Sequence, residues 1–333
     1  MNSTARTAAA EQVRALVGQH YRCTGSFPVE RGRIREFARA VQAYHPAHWH
    51  ESAAARLGFD ALVAPPTFAA LVWQQARREI LERLITGYRV VHVDQTLEIG
   101  RPLLAGDVLN CDFTIESFRH FRSFDVVTVT GALTDQRGRP VQTCSTAMLV
   151  GGGEADTARR PRAPARFADR ADPVVRAAVR HCGRPRAGGL DINRLAVNTA
   201  LPTAGVTVTA ADLANYALVV GDTESIDRDR LTRAGQPVLI APGQLVLALA
   251  TGYVSSWTHD PAAVVRFWAE FANHVHYLAV PRFTGADIEF NGRVLACDRR
   301  RRTATIAIDA RSQGRKLFGY ATAEVSFAAN RGR

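Results

Sequence analysis

The sequence predicts an α+β protein built from two similar halves, and three observations lead to this prediction. The chain has 333 residues, enough for about two domains of ordinary size. Four sequence blocks recur in the same order at an offset of about 176–180 residues, which indicates an internal duplication. Within each half, a helical pattern is followed by runs with the two-residue period of strands.

The repeated blocks locate the halves and the linker between them. The matching pairs are residues 35–46 with 211–222, 64–85 with 241–257, 100–118 with 279–297, and 138–150 with 314–327. Residues 151–189 are rich in Gly, Pro, Ala and charge, which is typical of a linker. We therefore expect an N-terminal domain at 11–150, a linker at 151–189 and a C-terminal domain at 190–330.

The order of helix and strands predicts the architecture of each half. In the C-terminal half, the helical stretch 241–257 is apolar on most faces, so a sheet must nearly enclose it. A sheet wrapped around one long central helix is a hot-dog fold, and two such halves pairing edge to edge form a double hot dog. That pairing removes one exposed sheet edge from each half. The predicted strands are 90–99, 109–118, 125–134 and 141–150, then 273–280, 286–296, 303–311 and 318–327.

The composition excludes several classes of protein. Hydrophobic residues make up 47% of the chain and charged residues 22%, which is typical of a packed globular protein. No apolar run approaches the roughly 18 residues of a membrane-spanning helix, and the N-terminus has no secretory pattern. The five cysteines are scattered and lack metal-ligand spacing. We expect a soluble, cytoplasmic protein without a cofactor or bound metal and without a membrane partner.

The charge of the chain favours anionic partners. The net charge is +11, and Lys316 is the only lysine, so the basic residues are almost all arginines. Such an excess attracts nucleic acid, CoA phosphates or acidic carrier proteins. The densest basic runs, 158–166 and 298–302, lie in the predicted linker and a predicted turn without interleaved aromatic residues. Nucleic acid is therefore not expected.

The C-terminal half carries motifs of a known family. The segments are YALVVGDTESIDRD, IAPGQL, GYVSSWTHDPAAV and GRKLFGYATAEVSF. This half resembles the MaoC-like (3R)-hydroxyacyl-thioester dehydratases, especially the catalytic subunit of the mycobacterial-type fatty acid synthase II dehydratase. The N-terminal half resembles the non-catalytic partner subunit through VGQHYR, AARLGFDALVAPPTF and VDQTLEIGRPLLAGD. The chain is similar to a single-chain fusion of that heterodimer.

The resemblance implies a reaction and a set of site residues. Family members interconvert 3-hydroxyacyl and trans-2-enoyl thioesters on acyl carrier protein or CoA. An Asp/His pair in a G-D-x-N-P-I-H loop moves protons, and an amide at the start of the central helix binds the carbonyl oxygen. Matching this pattern to the sequence gives two sets of candidate residues. The candidate catalytic residues are Asp222, Asp227 and Gly243. The candidate substrate-binding residues are Gly221, Ile240, Pro242 and Leu245.

The sequence departs from the family at the acid/base pair. The Asp is kept as Asp222, but Asp227 stands at the position of the catalytic His. Two carboxyl groups in one cleft can share a proton, and such a pair would give a slow dehydratase. The alternative is that Asp227 is one of several solvated charges of DTESIDRDR on a relaxed loop. In the N-terminal half, His48 stands at the position of the catalytic His, and Ala43 stands at the position of the Asp. We interpret His48 as a surface or packing residue. The family places each active loop against its own tunnel, so the N-terminal loop is not expected to complete the site.

Three functions remain open from the sequence. The first is a hydratase or dehydratase acting on an acyl thioester. The second is a divergent hot-dog enzyme that isomerises, cyclises or eliminates a group from a tethered acyl chain. The third is a non-catalytic module that binds acyl chains or carrier proteins. A homodimer of double hot dogs is also compatible with the sequence.

Overall fold

The computed structural model describes residues 14–76, 89–121, 124–151, 190–222, 230–233, 236–271 and 278–327. Most of the predicted linker therefore lies outside the described residues. Within the described ranges, no helix combines the length and the apolar character needed to cross a bilayer.

The N-terminal half places short helices before a set of long strands. Its elements are β1 (His20–Arg22), β2 (Phe27–Pro28), α1 (Arg31–Ala40), a 3₁₀ turn (Pro46–His48), α2 (Glu51–Arg56), α3 (described over 70–76), β3 (Arg89–Ile99), β4 (Val108–Phe121), β5 (Phe124–Thr134) and β6 (Pro140–Gly151).

The C-terminal half repeats this plan. Its elements are a 3₁₀ turn (Ile192–Arg194), β7 (Ala200–Val208), α4 (Ala210–Val220), β8 (Arg230–Arg233), β9 (Gln236–Ile240), α5 (Gly243–Thr258), β10 (Val264–Phe271), β11 (Ala279–Pro281), β12 (Ala286–Asp298), β13 (Thr303–Ser312), β14 (Arg315–Lys316) and β15 (Phe318–Ser326).

The two halves form one continuous antiparallel sheet. Its strand order is β1-β4-β5-β6-β3-β10-β15-β13-β12-β7, so the second half repeats the order of the first in reverse. At the centre, β3 pairs with β10, from Arg266 opposite Glu98 to Glu270 opposite Asp94. This pairing saturates an edge strand of each half with main-chain hydrogen bonds. The predicted double hot dog and its edge-to-edge pairing are confirmed.

Helix α5 is buried along most of its length, as its apolar sequence predicts. Leu245, Leu247, Leu249 and Val254 are each at most 4% exposed. Burying a large aliphatic side chain contributes roughly 1.5–3 kcal/mol, so this helix is stabilised by its enclosure in the sheet rather than by its own propensity. The hydroxyl of Tyr253 also donates to the carbonyl oxygen of Pro202 over 2.9 Å, which ties α5 to β7.

The strand prediction missed β10 at Val264–Phe271, which lies at the junction of the halves. The predicted strand at 273–280 falls mostly outside the described residues, and its described end forms the short β11 (Ala279–Pro281). Residues 272–277 lie outside the described ranges. The alternation was present in VVRFWAEF, where Phe267 and Ala269 are buried and Arg266 points outward.

Candidate active site

Asp222 is placed by the end of helix α4. The helix begins at a capping box, in which Thr209 and Asp212 exchange side-chain-to-backbone hydrogen bonds. It ends at Gly221, whose φ of 73° lies in the left-handed region that favours glycine. The amide of Asp222 then donates to the carbonyl oxygen of Ala217 over 2.8 Å. The backbone of Asp222 is therefore held against the last turn of α4.

The side chain of Asp222 contacts the other half of the chain. Its Oδ2 accepts a hydrogen bond from Nε2 of Gln74 over 2.6 Å. Gln74 is only 6% exposed and lies on α3, the N-terminal counterpart of α5. The candidate carboxylate therefore has a buried donor that the opposite hot-dog half supplies.

The first turn of α5 forms a second group of candidate residues. Pro242 is the N-cap, and its carbonyl oxygen accepts from the amides of Leu245 and Val246 over 3.0 and 3.5 Å. The amide of Gly243 precedes these two donors and has no acceptor within the helix. The helix dipole adds positive potential at this end. The tip can therefore stabilise a developing oxyanion.

Gly243 also lies in a tight contact. A Cβ built on it would lie 2.8 Å from Cε1 of the half-buried Phe271, which is closer than side chains pack. The Phe271 ring in turn lies 6.0 Å from the ring of Phe318, measured between centroids. Glycine at this position thus lets the aromatic wall of β10 approach the helix tip.

The strand next to the tip holds it in place. Ile240 ends β9 and pairs with Ala279 of β11, and the amide of Ala241 donates to the carbonyl oxygen of Leu278 over 3.0 Å. Leu245, one turn into α5, is 1% exposed. The main chain leading into α5 is therefore anchored on both sides of Pro242.

The corresponding position in the N-terminal half lacks the donor. Ala64-Pro65-Pro66 matches Ala241-Pro242-Gly243, so Pro66 stands where Gly243 supplies an amide N–H. Proline has no backbone N–H to donate. The N-terminal half therefore has no amide N–H at the position that matches Gly243.

His48 is a buried packing residue rather than a surface group. It is 1% exposed, and its Nδ1 lies 2.7 Å from the carbonyl oxygen of Val63. Burial lowers the pKa of His48 to about 4, against the ordinary value of 6.5. The packing alternative predicted from the sequence agrees with this position.

Comparison with known proteins places the chain in a family. Residues 15–144 match the model of the FAS1-like dehydratase domain region. A UPF0336 protein of Mycobacterium tuberculosis strain H37Rv is 39% identical over 148 residues, covering 44% of this chain and 87% of that protein. A solved MaoC-like dehydratase is 32% identical, covers 95% of this chain and 100% of its own, and superposes with a TM-score of 0.79.

The chain belongs to the MaoC-like dehydratase family. A double-hotdog protein of Mycobacterium tuberculosis is also similar in fold, with 14% identity, coverage of 93% and 96%, and a TM-score of 0.62.

The predicted site residues of this MaoC-like dehydratase fall into two described groups. Gly221 and Asp222 lie at the end of α4, and Asp222 contacts Gln74. The remaining described candidates lie together at the start of α5, namely Ile240, Pro242, Gly243 and Leu245. Asp227 lies in 223–229, outside the described residues.

Sequence reasoning missed Gln74. The sequence drew attention to the N-terminal loop that carries His48, whereas the contact comes from helix α3. The signal was weak, because Gln74 directly follows the apolar run FAALVW and is itself followed by further polar residues. Its partner lies 148 residues away in the sequence and is brought close only by the pairing of the halves.

Proposed function

We propose that this MaoC-like dehydratase is a hydro-lyase that interconverts 3-hydroxyacyl and trans-2-enoyl thioesters. The observation that carries the proposal is the amide of Gly243 at the first turn of the buried helix α5, where the N-terminal half has Pro66. An oxyanion donor is required for enolate chemistry at a thioester. The half that retains it is also the half that retains Asp222.

The proposed reaction begins at the carbon next to the thioester. The Asp222 carboxylate takes the proton from C2, and the electron pair of that bond delocalises onto the carbonyl oxygen. The amide of Gly243 donates to that oxygen as its negative charge builds. The electron pair then forms the C2–C3 double bond while the C3–O bond breaks, and the leaving hydroxyl takes up a proton and departs as water.

The proton for the leaving hydroxyl is supplied by carboxyl groups. In the proposed mechanism, Asp222 and Asp227 share one proton, so that one acts as base and the other as acid. Aspartate is a weaker base than the family's histidine, by about two pKa units in reference compounds. General acid–base catalysis contributes roughly 10²–10⁴-fold, so an imperfect pair gives a slow enzyme rather than an inert one.

The proposed substrate arrives on an acidic carrier. An acyl carrier protein or the phosphates of CoA complement the net charge of +11. The acyl chain would lie beside α5, whose enclosed apolar face matches a hydrocarbon tail.

The experiment is a hydration assay on trans-2-enoyl thioesters of several chain lengths, as CoA esters and on acyl carrier protein. Loss of the enoyl absorbance should follow enzyme concentration, and a 3-hydroxyacyl product should accumulate. Asp222→Asn, which keeps the side chain's shape, should lower the rate by about 10²-fold or more. If the folded protein turns over none of these thioesters, the proposed function is wrong.

A further inference from the structure

We propose that Gln74 is a positioning residue for Asp222, and that the N-terminal half thereby contributes to catalysis. Its amide would hold the carboxylate in the orientation needed to take the proton from C2. This inference rests on the proposed function, because it assigns Gln74 a part in that same reaction. It differs from the expectation that each half serves only its own tunnel.

The geometry supports a rigid donor. Gln74 is buried, and Trp73 beside it lies so close over Gly131 that a side chain at that glycine would overlap the indole ring. Helix α3 is therefore packed tightly on β5 one residue before Gln74. Because the packed helix already restricts this donor, forming its hydrogen bond costs little additional conformational entropy.

The chemistry of the pair fits positioning rather than proton transfer. A primary amide is neutral and donates through its nitrogen, whereas an ionised carboxylate only accepts. The side-chain torsion that orients a carboxylate is broad, so one strong hydrogen bond selects among its orientations. The backbone of Asp222 is held by the hydrogen bond from its amide to the carbonyl oxygen of Ala217, and Gln74 adds a donor to the carboxylate.

The alternative is that Gln74 merely ties the two halves together. Gln42 provides a matched control, because its Nε2 also crosses between the halves and donates to the carbonyl oxygen of Thr207 over 2.9 Å. Gln42 makes this bond without contacting Asp222. A structural tie and a catalytic constraint can therefore be separated by the same substitution at two positions.

The test compares steady-state kinetics of Gln74→Met, Gln42→Met and Asp222→Asn on the trans-2-enoyl thioester that the parent turns over best. We expect Gln74→Met to lower kcat by about 10- to 100-fold with KM changed less than about 2-fold. Gln42→Met should keep kcat within about 2-fold of the parent. Gln74→Glu keeps the length of the side chain and should also lower kcat. This variant replaces Gln74→Met in the comparison if Gln74→Met fails to fold.

The outcomes separate the two proposals. If Asp222→Asn loses activity while folded Gln74→Met keeps the parental kcat, the positioning role is wrong and the proposed function stands. Equal losses in Gln74→Met and Gln42→Met, with equal falls in melting temperature, also overturn the positioning role. If Asp222→Asn is as active as the parent, or the parent is inactive, the proposed function fails and the inference fails with it.

Discussion

Nε2 of Gln74, in the N-terminal half, donates a 2.6 Å hydrogen bond to Oδ2 of Asp222, in the C-terminal half. The contact makes the candidate site a product of both halves, although only the C-terminal half has an amide N–H at the position of Gly243. The duplication has therefore diverged, with Gly243 kept at one helix tip and Pro66 at the other.

The first prediction concerns the two glycines of α5. Gly243→Ala should destabilise the protein by about 1–3 kcal/mol and lower activity, because the added methyl group overlaps the ring of Phe271. Gly252→Ala, in the same helix, should instead stabilise by roughly 0.5–1 kcal/mol, since nothing lies within 4 Å of its added Cβ. Urea denaturation of both variants measures this difference.

A double variant tests the cause of the first effect. Combining Gly243→Ala with Phe271→Leu should recover part of the lost stability by removing the overlap. Strictly additive losses in the double variant would contradict the steric explanation.

The second prediction concerns pH. Burial lowers the pKa of His48 to about 4 in the folded protein, so the unfolded chain binds a proton first as the pH falls below 6.5. Stability should therefore decrease with acidification, by about 2 kcal/mol from this residue between pH 7.5 and 5.0. His48→Gln should be less stable than the parent at pH 7.5 but lose less on acidification. Denaturant titrations at both pH values provide the measurement.

The matched control for this experiment is the exposed neighbour His50. His50→Gln is measured under the same two conditions. A parental slope that persists in His48→Gln would mean that other groups cause it, among them His45, whose pKa burial also lowers.

The third prediction concerns a buried carboxylate between two turns of the N-terminal half. Asp135 is fully buried and accepts hydrogen bonds from the backbone amides of Arg137 and Arg139 and from the Arg101 and Arg139 side chains. These donors hold the pKa of Asp135 well below its ordinary range. Asp135→Asn should destabilise by about 2–3 kcal/mol, because an amide cannot accept all of these bonds.

The comparison variant is Asp309→Asn, which removes an ion pair with Arg311 between half-exposed side chains. It should change the melting temperature far less than Asp135→Asn, since solvent screens the pair. Equal shifts of the two melting temperatures would show that the buried interactions of Asp135 stabilise the protein no more than an exposed ion pair does.

The sequence predicts the elements of this fold well and their contacts poorly. The helix at 241–257 and the strand at 303–311 are predicted because their apolar periods match α5 and β13. The edge-to-edge pairing of the halves was predicted, but its strand β10 at Val264–Phe271 was not. Backbone pattern does not specify which buried polar side chains meet, so the bond between Gln74 and Asp222 required the assembled sheet.

The candidate site was likewise predictable from the sequence only in part. Gly243 and Asp222 are predicted because they match motif positions, and the structure gives each a local reason, namely a helix tip against Phe271 and a left-handed cap at Gly221. The pairing of Asp222 with Asp227 stays a prediction, since Asp227 lies outside the described residues.

The proposed base of the hydro-lyase reaction is Asp222. Its role is tested by exchange of the C2 hydrogen, measured by mass spectrometry of a 3-hydroxyacyl thioester incubated with enzyme in deuterated water. We expect the parent to incorporate deuterium at C2 and to release enoyl product, and folded Asp222→Asn to do neither at a comparable rate. Exchange and dehydration in Asp222→Asn at the parental rate would contradict it.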